Sequence, residues 1–148
     1  MSTGTSANAA VNKDVARRLF AEVISQHRLD LLDELVAEEA VDETAGAAGR
    51  EAFREHVSAV WRNVGDVKAT VTDLIAEGDR VVVWWQIQGV HIGPLFGAPP
   101  SGRFFTGQSI SLIWFDAGQI VRYNVFPDRL GILRQISSPP PSSAGRGG

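Results

Sequence analysis

The sequence predicts an α+β fold, a cone-shaped barrel in which N-terminal helices pack on a curved antiparallel sheet and enclose a pocket. Hydrophobic residues recur at helical spacing as far as residue 63, and from Val67 onwards the spacing changes to two, which is typical of strands. The order of the elements is the third observation. Helices come first and strands follow, so we expect the helices on one face of the sheet.

Size and composition are those of a single globular domain. The chain has 148 residues, of which 44% are hydrophobic and 21% charged, and its formal net charge of −3 gives no reason to expect nucleic acid or membrane partners. The absence of cysteine excludes disulfides and thiolate catalysis and fits a reducing cytoplasm. We expect a flexible N-terminus over residues 1–10, the domain over 11–136, and a disordered tail over 137–148.

Three helices are predicted before residue 64. Asn12 can cap the first helix, and Asp30 can cap a short second helix. The third helix is expected over 50–63, where apolar residues lie on one face. Residues 38–50, between the second and third helices, are polar and glycine-rich and predict an irregular loop across the mouth of the pocket.

Four antiparallel strands are predicted after the helices. The first covers about 67–75 and the second about 80–91, followed by a loop rich in glycine and proline. The last two strands form a hairpin around a tight turn at 116–118. Asp128 can then cap a last short helix over 129–135. We expect functional side chains on the face of the hairpin that points inward.

A set of short motifs runs in order through the second half of the chain: IAEGDRVVV at 75–83, GVHIG at 89–93, FGAPPSGR at 96–103, GQI at 118–120, and Asp128 followed by LRQI at 133–136. With these motifs the chain resembles the SnoaL-like polyketide cyclases, whose cone-shaped fold is shared with steroid isomerase and nuclear transport factor. The resemblance implies cofactor-independent ring closure of a polyketide by an intramolecular aldol reaction, in antibiotic biosynthesis. It also implies a homodimer formed by packing sheets together.

The resemblance further implies an acid/base aspartate on the last strand, assisted by a histidine and a glutamine on the strand before it. Those positions are Val125, Ser111 and Ser109 in this sequence. Valine cannot transfer a proton, and a serine without a neighbouring base is a poor base. We therefore expect a pocket without the usual proton-transfer groups, in which ring closure depends on confinement and hydrogen bonding.

Two further residues are candidates for the chemistry. Tyr123 shares its strand parity with Val125 and the two serines, so its hydroxyl is expected in the pocket, where it can bind a carbonyl oxygen or belong to a buried core aromatic. His91 lies where a strand meets the glycine- and proline-rich loop. It can act as an acid or base, or it can hold the loop by hydrogen bonds.

Asp42 and Glu43 are the carboxylates nearest to the expected mouth of the pocket. Burial that raised the pKa of one of them would let it act as a general acid or base, and the alternative is a solvated loop charge. The catalytic candidates are therefore Asp42, His91 and Tyr123. His27 and His56 are expected on the solvated edges of helices.

Four tryptophans give the domain a high aromatic content. Trp85 is expected to face the pocket by its parity with His91, and Trp61 is expected to line the pocket with it, unless both belong to the core. Trp84 and Trp114 are expected to face outward, which is typical of a surface that binds a partner.

Three functions remain open on the sequence alone. The first is a cofactor-independent cyclase or isomerase acting on a hydrophobic small molecule. The second is an epoxide-opening enzyme that uses the Asp42 or Glu43 carboxylate, and the third is a non-catalytic, ligand-binding auxiliary member. No metal is expected, because the three histidines lack the spacing of a metal site.

Overall fold

The computed structural model describes the backbone of residues 2–137 and the side chains of residues 8–137. The α-helices are α1 Ser2–Arg18, α2 Leu32–Leu35, α3 Arg50–Asn63 and α4 Arg129–Ile136. The strands are β1 Val36–Asp42, β2 Ala47–Ala48, β3 Val64–Glu77, β4 Arg80–His91, β5 Phe104–Asp116 and β6 Gln119–Pro127. None of these helices is long and apolar enough to cross a membrane.

The six strands form one open sheet in the order β2-β1-β6-β5-β4-β3. The pairs β3–β4, β4–β5 and β5–β6 are antiparallel, as the period-two pattern predicts. The β5–β6 turn has Ala117 at φ 51° and Gly118 at φ 79°, the left-handed geometry that two-residue hairpin turns require. The α+β fold with helices on a curved sheet is confirmed, but the sheet does not close into a barrel.

The predicted loop over 38–50 is wrong in its first part. Val36–Asp42 is strand β1, which pairs in parallel with β6, and the short β2 pairs with the end of β1. The segment is rich in carboxylates, so its composition favoured a loop, but burial alternates along its end and places Ala40 and Asp42 inside. The sheet therefore has two strands more than the sequence predicted, and one of its pairings is parallel.

Helix α1 begins at Ser2, so Asn12 lies within the helix and is not its cap, and residues 2–10 of the expected flexible terminus are helical. The helix continues directly into one π-helical turn, Leu19–Ile24. This wider turn presents four buried apolar side chains to the sheet, including Leu19 and Ile24. The predicted tail beyond Ser137 lies outside the described residues.

Helix α4 packs on strand β5 through a position that needs glycine. A Cβ atom at Gly107 would lie 2.5 Å from the side chain of Ile132, so the close approach of α4 depends on the absence of a side chain there. Asp128 caps α4, as predicted, because its carboxylate accepts a hydrogen bond of 3.0 Å from the Gly131 N–H. The backbone N–H of Asp128 also donates to Gln108 O at 2.9 Å, which fixes the start of the helix to β5.

Candidate active site

A cavity of about 260 Å³ lies between α3, the π-helical turn, the inner face of the sheet and α4. Most of its lining is apolar, and representative side chains are Leu19, Phe53, Val57, Leu95, Phe105 and Ile132. The polar side chains in the lining are Thr44, His56, Asn63, Ser109, Tyr123 and Arg129. This combination of an apolar enclosure with a few polar groups is typical of a small-molecule site.

One wall of the cavity carries a carboxylate in contact with an imidazole. His56 Nδ1 lies 2.6 Å from Asp42 Oδ2, and the second carboxylate oxygen accepts a hydrogen bond of 3.2 Å from the Ala45 N–H. An ionised carboxylate can only accept, so the proton is on Nδ1 of His56. Nε2 is then the basic nitrogen, since Nδ1 is the ring nitrogen of His56 that is bonded to Asp42.

The two partners come from different elements. Asp42 is the last residue of β1, where its register partner in β6 is Tyr123, and its side chain is fully buried. His56 lies on the inner face of α3 between Phe53 and Val57, with 26% of its side chain exposed. The buried carboxylate thus supports an imidazole that reaches the cavity, which is the arrangement that orients a general base.

A second set of polar groups lies on the β4–β5–β6 face. Trp85 Nε1 donates to Ser111 Oγ at 2.9 Å, and Ser111 Oγ lies 2.9 Å from the Tyr123 hydroxyl oxygen. An indole nitrogen can only donate, so Ser111 accepts there and can give its own proton to the Tyr123 oxygen. The Tyr123 hydroxyl proton is then free to point into the cavity.

Burial raises the pKa of the Tyr123 phenol above its ordinary value, and the nearby Asp42 charge raises it further, although the Ser111 hydrogen bond opposes the shift. Tyr123 therefore remains a neutral hydrogen-bond donor at every physiological pH. Its ring meets the His56 ring edge to face, with centroids 6.0 Å apart. The imidazole and the phenol consequently line the same part of the cavity.

Three of the four hairpin residues that strand parity predicts in the pocket line the cavity, and the fourth, Ser111, does not. Ser109, Tyr123 and Val125 line the cavity, and Ser111 is buried directly behind the Tyr123 hydroxyl. Trp85 also lines the cavity, as expected from its position on β4.

The expectation of a wall without a carboxylate–imidazole contact is wrong, as is the assignment of His56 to a solvated edge. Asp42 is not a charge in a loop at the mouth but is buried at the end of a strand. The sequence contained one usable signal for His56. It lies three residues after Phe53 and one before Val57, within the apolar stripe of α3.

His91 is fully buried and is not among the cavity-lining residues. Its Nδ1 accepts a hydrogen bond of 3.1 Å from the Ser101 N–H and lies 2.9 Å from Ser101 Oγ, so its contacts are those of a residue that holds the loop. The expected wall residue Trp61 also lies elsewhere. Its Nε1 donates to Ile24 O at 3.0 Å and its ring stacks on His27, with centroids 4.2 Å apart.

The remaining residues singled out from the sequence lie on the surface of the protein. Glu43 Oε2 lies 3.3 Å from Arg122 Nε on the surface. Trp84 is 46% exposed, as expected for an outward side chain, and Trp114 is partly exposed beneath the Arg122 guanidinium. Within residues 2–137 no group of three histidine or acidic side chains is arranged to hold a metal ion.

An open sheet with helices on one face, and an apolar cavity with a carboxylate–imidazole pair between them, defines a cone-shaped α+β protein. The family described as SnoaL-like polyketide cyclase matches residues 14–136. The chain belongs to this family.

Two relatives from Streptomyces are cyclases. The nogalonic acid methyl ester cyclase of Streptomyces nogalater is 32% identical over 90 residues, which cover 55% of this chain and 67% of that protein. The aklanonic acid methyl ester cyclase AcmA of Streptomyces galilaeus is 37% identical over 60 residues, or 40% of this chain and 42% of AcmA. The matched segment thus spans less than half of AcmA.

Two solved structures resemble the whole domain. TsrD from Streptomyces laurentii superposes with a TM-score of 0.78 and 26% identity, covering 86% of this chain and 95% of TsrD. IdmH from Streptomyces antibioticus gives a TM-score of 0.73 and 26% identity, covering 86% of this chain and 99% of IdmH. The shared fold therefore extends well beyond the segments matched in the curated relatives.

Proposed function

We propose that this protein closes a ring in a hydrophobic polyketide by an intramolecular aldol reaction, with His56 as the general base. The observation that carries the proposal is the contact of 2.6 Å between His56 and the buried Asp42 at the wall of an apolar cavity. Membership of the polyketide cyclase family and the similarity to cyclases of two polyketide methyl esters support this substrate class.

The first step is proton abstraction. His56 Nε2 takes a proton from the carbon beside a substrate ketone, and the resulting imidazolium is stabilised by the Asp42 carboxylate on Nδ1. Because Asp42 holds Nδ1 in its protonated form before the reaction, the basic nitrogen is already the one that is free. The pair therefore supplies the base that is absent from positions 109, 111 and 125.

The developing enolate needs a hydrogen-bond donor at its oxygen. The Tyr123 hydroxyl is suited to this role because it can accept from Ser111 and keeps its own proton at physiological pH. The enolate carbon then attacks a second carbonyl carbon of the same molecule and forms the ring bond. The His56 imidazolium returns its proton to the new alkoxide, so that the enzyme ends in its starting state and no redox partner is required.

The two alternative functions have weaker support. Direct opening of an epoxide by Asp42 would need a carboxylate oxygen in the cavity, but both oxygens have partners in the protein and Asp42 is not among the lining residues. A non-catalytic role would fit a pocket that has lost its base at Val125. The Asp42–His56 pair supplies another base, so this role is the less well supported.

The test is the variant His56→Gln, assayed with nogalonic acid methyl ester and aklanonic acid methyl ester. We expect kcat to fall about 10²- to 10⁴-fold, the contribution typical of a positioned general base. His27→Asn is the matched control, because it removes an exposed imidazole outside the cavity and asparagine tolerates the left-handed backbone at that position. If His56→Gln retains wild-type kcat while folded, His56 is not the base.

We also propose that the protein forms a homodimer through the outer face of the sheet. Trp84, Ile110 and Phe126 are consecutive register partners across three strands, and they are 46%, 41% and 57% exposed. An apolar row of this kind on a soluble domain is typical of an association surface. A second copy of the same face would cover all three side chains in one symmetric contact.

A further inference from the structure

The solvent end of the cavity carries a positive charge. Thr44 and Arg129 are the exposed residues among the lining side chains, so they mark where the cavity meets water. Arg129 is the permanently charged side chain in that lining, and it lies on α4, whereas the Asp42–His56 pair lies on β1 and α3. The lining therefore carries a cation at the mouth of the cavity, on a different element from the carboxylate bonded to His56.

The position of Arg129 is well defined. It is the first residue of α4, next to Asp128, whose backbone N–H is bonded to β5 and whose carboxylate caps the helix. The Arg129 guanidinium lies 5.1 Å from the centroid of the Phe96 ring, which itself lines the cavity. A guanidinium lying over a ring keeps its charge and its N–H donors for a ligand.

The charge of Arg129 is not neutralised within the protein. No carboxylate of the described chain lies within ion-pair distance of it. Arg54, by contrast, contacts both Asp33 and Glu51. An anionic partner for the Arg129 guanidinium must therefore come from outside the described residues.

We propose that Arg129 binds an anionic group, a carboxylate above all, on the solvent end of a substrate whose apolar body fills the cavity. This inference rests on the proposed function in taking the cavity as the substrate site. The planar guanidinium matches a carboxylate in a bidentate contact. The Asp42 charge disfavours the reverse orientation, so Arg129 selects which end of the substrate reaches His56.

The test measures binding by isothermal titration calorimetry with a matched probe pair, 2-naphthoate and methyl 2-naphthoate, at low ionic strength. The ester has the same ring system and lacks the negative charge, which makes it the matched neutral control. We expect the acid to bind about fivefold more tightly than the ester, the size of one partly exposed ion pair. Arg129→Met should abolish this preference, and Arg129→Lys should retain part of it.

Arg17→Met serves as the control for net charge, because Arg17 is an exposed residue of α1 outside the cavity lining. It should keep the wild-type preference for the acid. Equal affinity for acid and ester in the wild type, no binding of the acid, or an unchanged preference in Arg129→Met would each overturn the proposal. The preference for the acid should also persist in His56→Gln. The result for Arg129 can therefore be distinguished from the result for His56 as the general base.

Discussion

Two walls of the cavity differ in chemistry. The hairpin wall is formed by Ser109, Tyr123 and Val125, with Ser111 behind the tyrosine hydroxyl. The helix wall is formed by His56 on α3, with Asp42 of β1 behind the imidazole. The hairpin wall holds hydroxyl groups and a valine, and its phenol is held in the neutral form. The helix wall holds a carboxylate bonded to an imidazole. The comparison shows that a cavity can have a carboxylate–imidazole pair on one wall while the strand position expected to carry the aspartate is aliphatic.

The two walls also differ in the free energy needed to bury their polar groups. On the hairpin wall, Ser111 and Tyr123 satisfy each other without charge, so burying them costs little. On the helix wall, a fully buried carboxylate must be compensated, and Asp42 is bonded by the Ala45 N–H and His56. The helix wall is therefore the more sensitive of the two to a single polar substitution.

The largest effect is expected from Asp42→Asn. The amide replaces one acceptor oxygen with an N–H₂ donor, which must face either the Ala45 N–H or His56 Nδ1. The second arrangement moves the imidazole proton to Nε2 and removes the base. We expect kcat to fall about 10³-fold, with the tautomer change visible in the ¹⁵N shifts of His56.

Glu43→Gln is the matched control for this substitution, because it neutralises the next carboxylate in the chain, whose partner is Arg122 on the surface. It should leave kcat close to that of the wild type. Equal activity of the two variants would mean that the helix wall takes no part in proton transfer.

A smaller effect is expected on the hairpin wall from Tyr123→Phe. The substitution keeps the aromatic ring between Phe53 and His56 and removes the donor to the substrate oxygen. We expect kcat to fall about 10²-fold, the loss typical of one oxyanion donor. A larger loss than in Asp42→Asn would reverse the roles assigned to the two walls.

The same hydroxyl can be followed directly, because Tyr123 is the one tyrosine of the chain. Its pKa is raised above 10.0 in the folded protein. The corresponding stability is fully present below the unfolded pKa and is lost as the pH rises from about 10 through the folded pKa. Phenolate absorbance should appear near pH 10 in urea and only at higher pH in the native protein, and identical titrations would contradict the burial argument.

The smallest effect on catalysis is expected from Trp84→Gln on the outer face of the sheet. It should shift the protein towards the monomer in sedimentation experiments, while kcat per subunit stays unchanged because neither wall is touched. Leu130→Gln is the control, since it removes an exposed apolar side chain of α4 that is not one of the three register partners Trp84, Ile110 and Phe126. A wild-type protein that is monomeric at high concentration would exclude the proposed dimer.

Much of the fold could be predicted because its strands and helices carry clear local patterns. The hairpin is an example, since alternation over residues 104–116 and 119–127 and the Ala117–Gly118 turn specify its pairing without reference to the rest of the chain. Strand β1 could not be predicted in the same way. Its carboxylates resemble a loop, and it is a strand because it adds to the edge of β6.

The candidate site also has a part that the sequence could predict and a part that it could not. Sequence alone determined that Ser109, Tyr123 and Val125 share the inner face, because a strand alternates its side chains whatever surrounds it. The contact between Asp42 and His56 was decided by the tertiary structure, because local periodicity determines which face of its own element a residue occupies but not which element packs against that face. Parallel pairing of β1 with β6 beneath α3 brings this carboxylate to this imidazole.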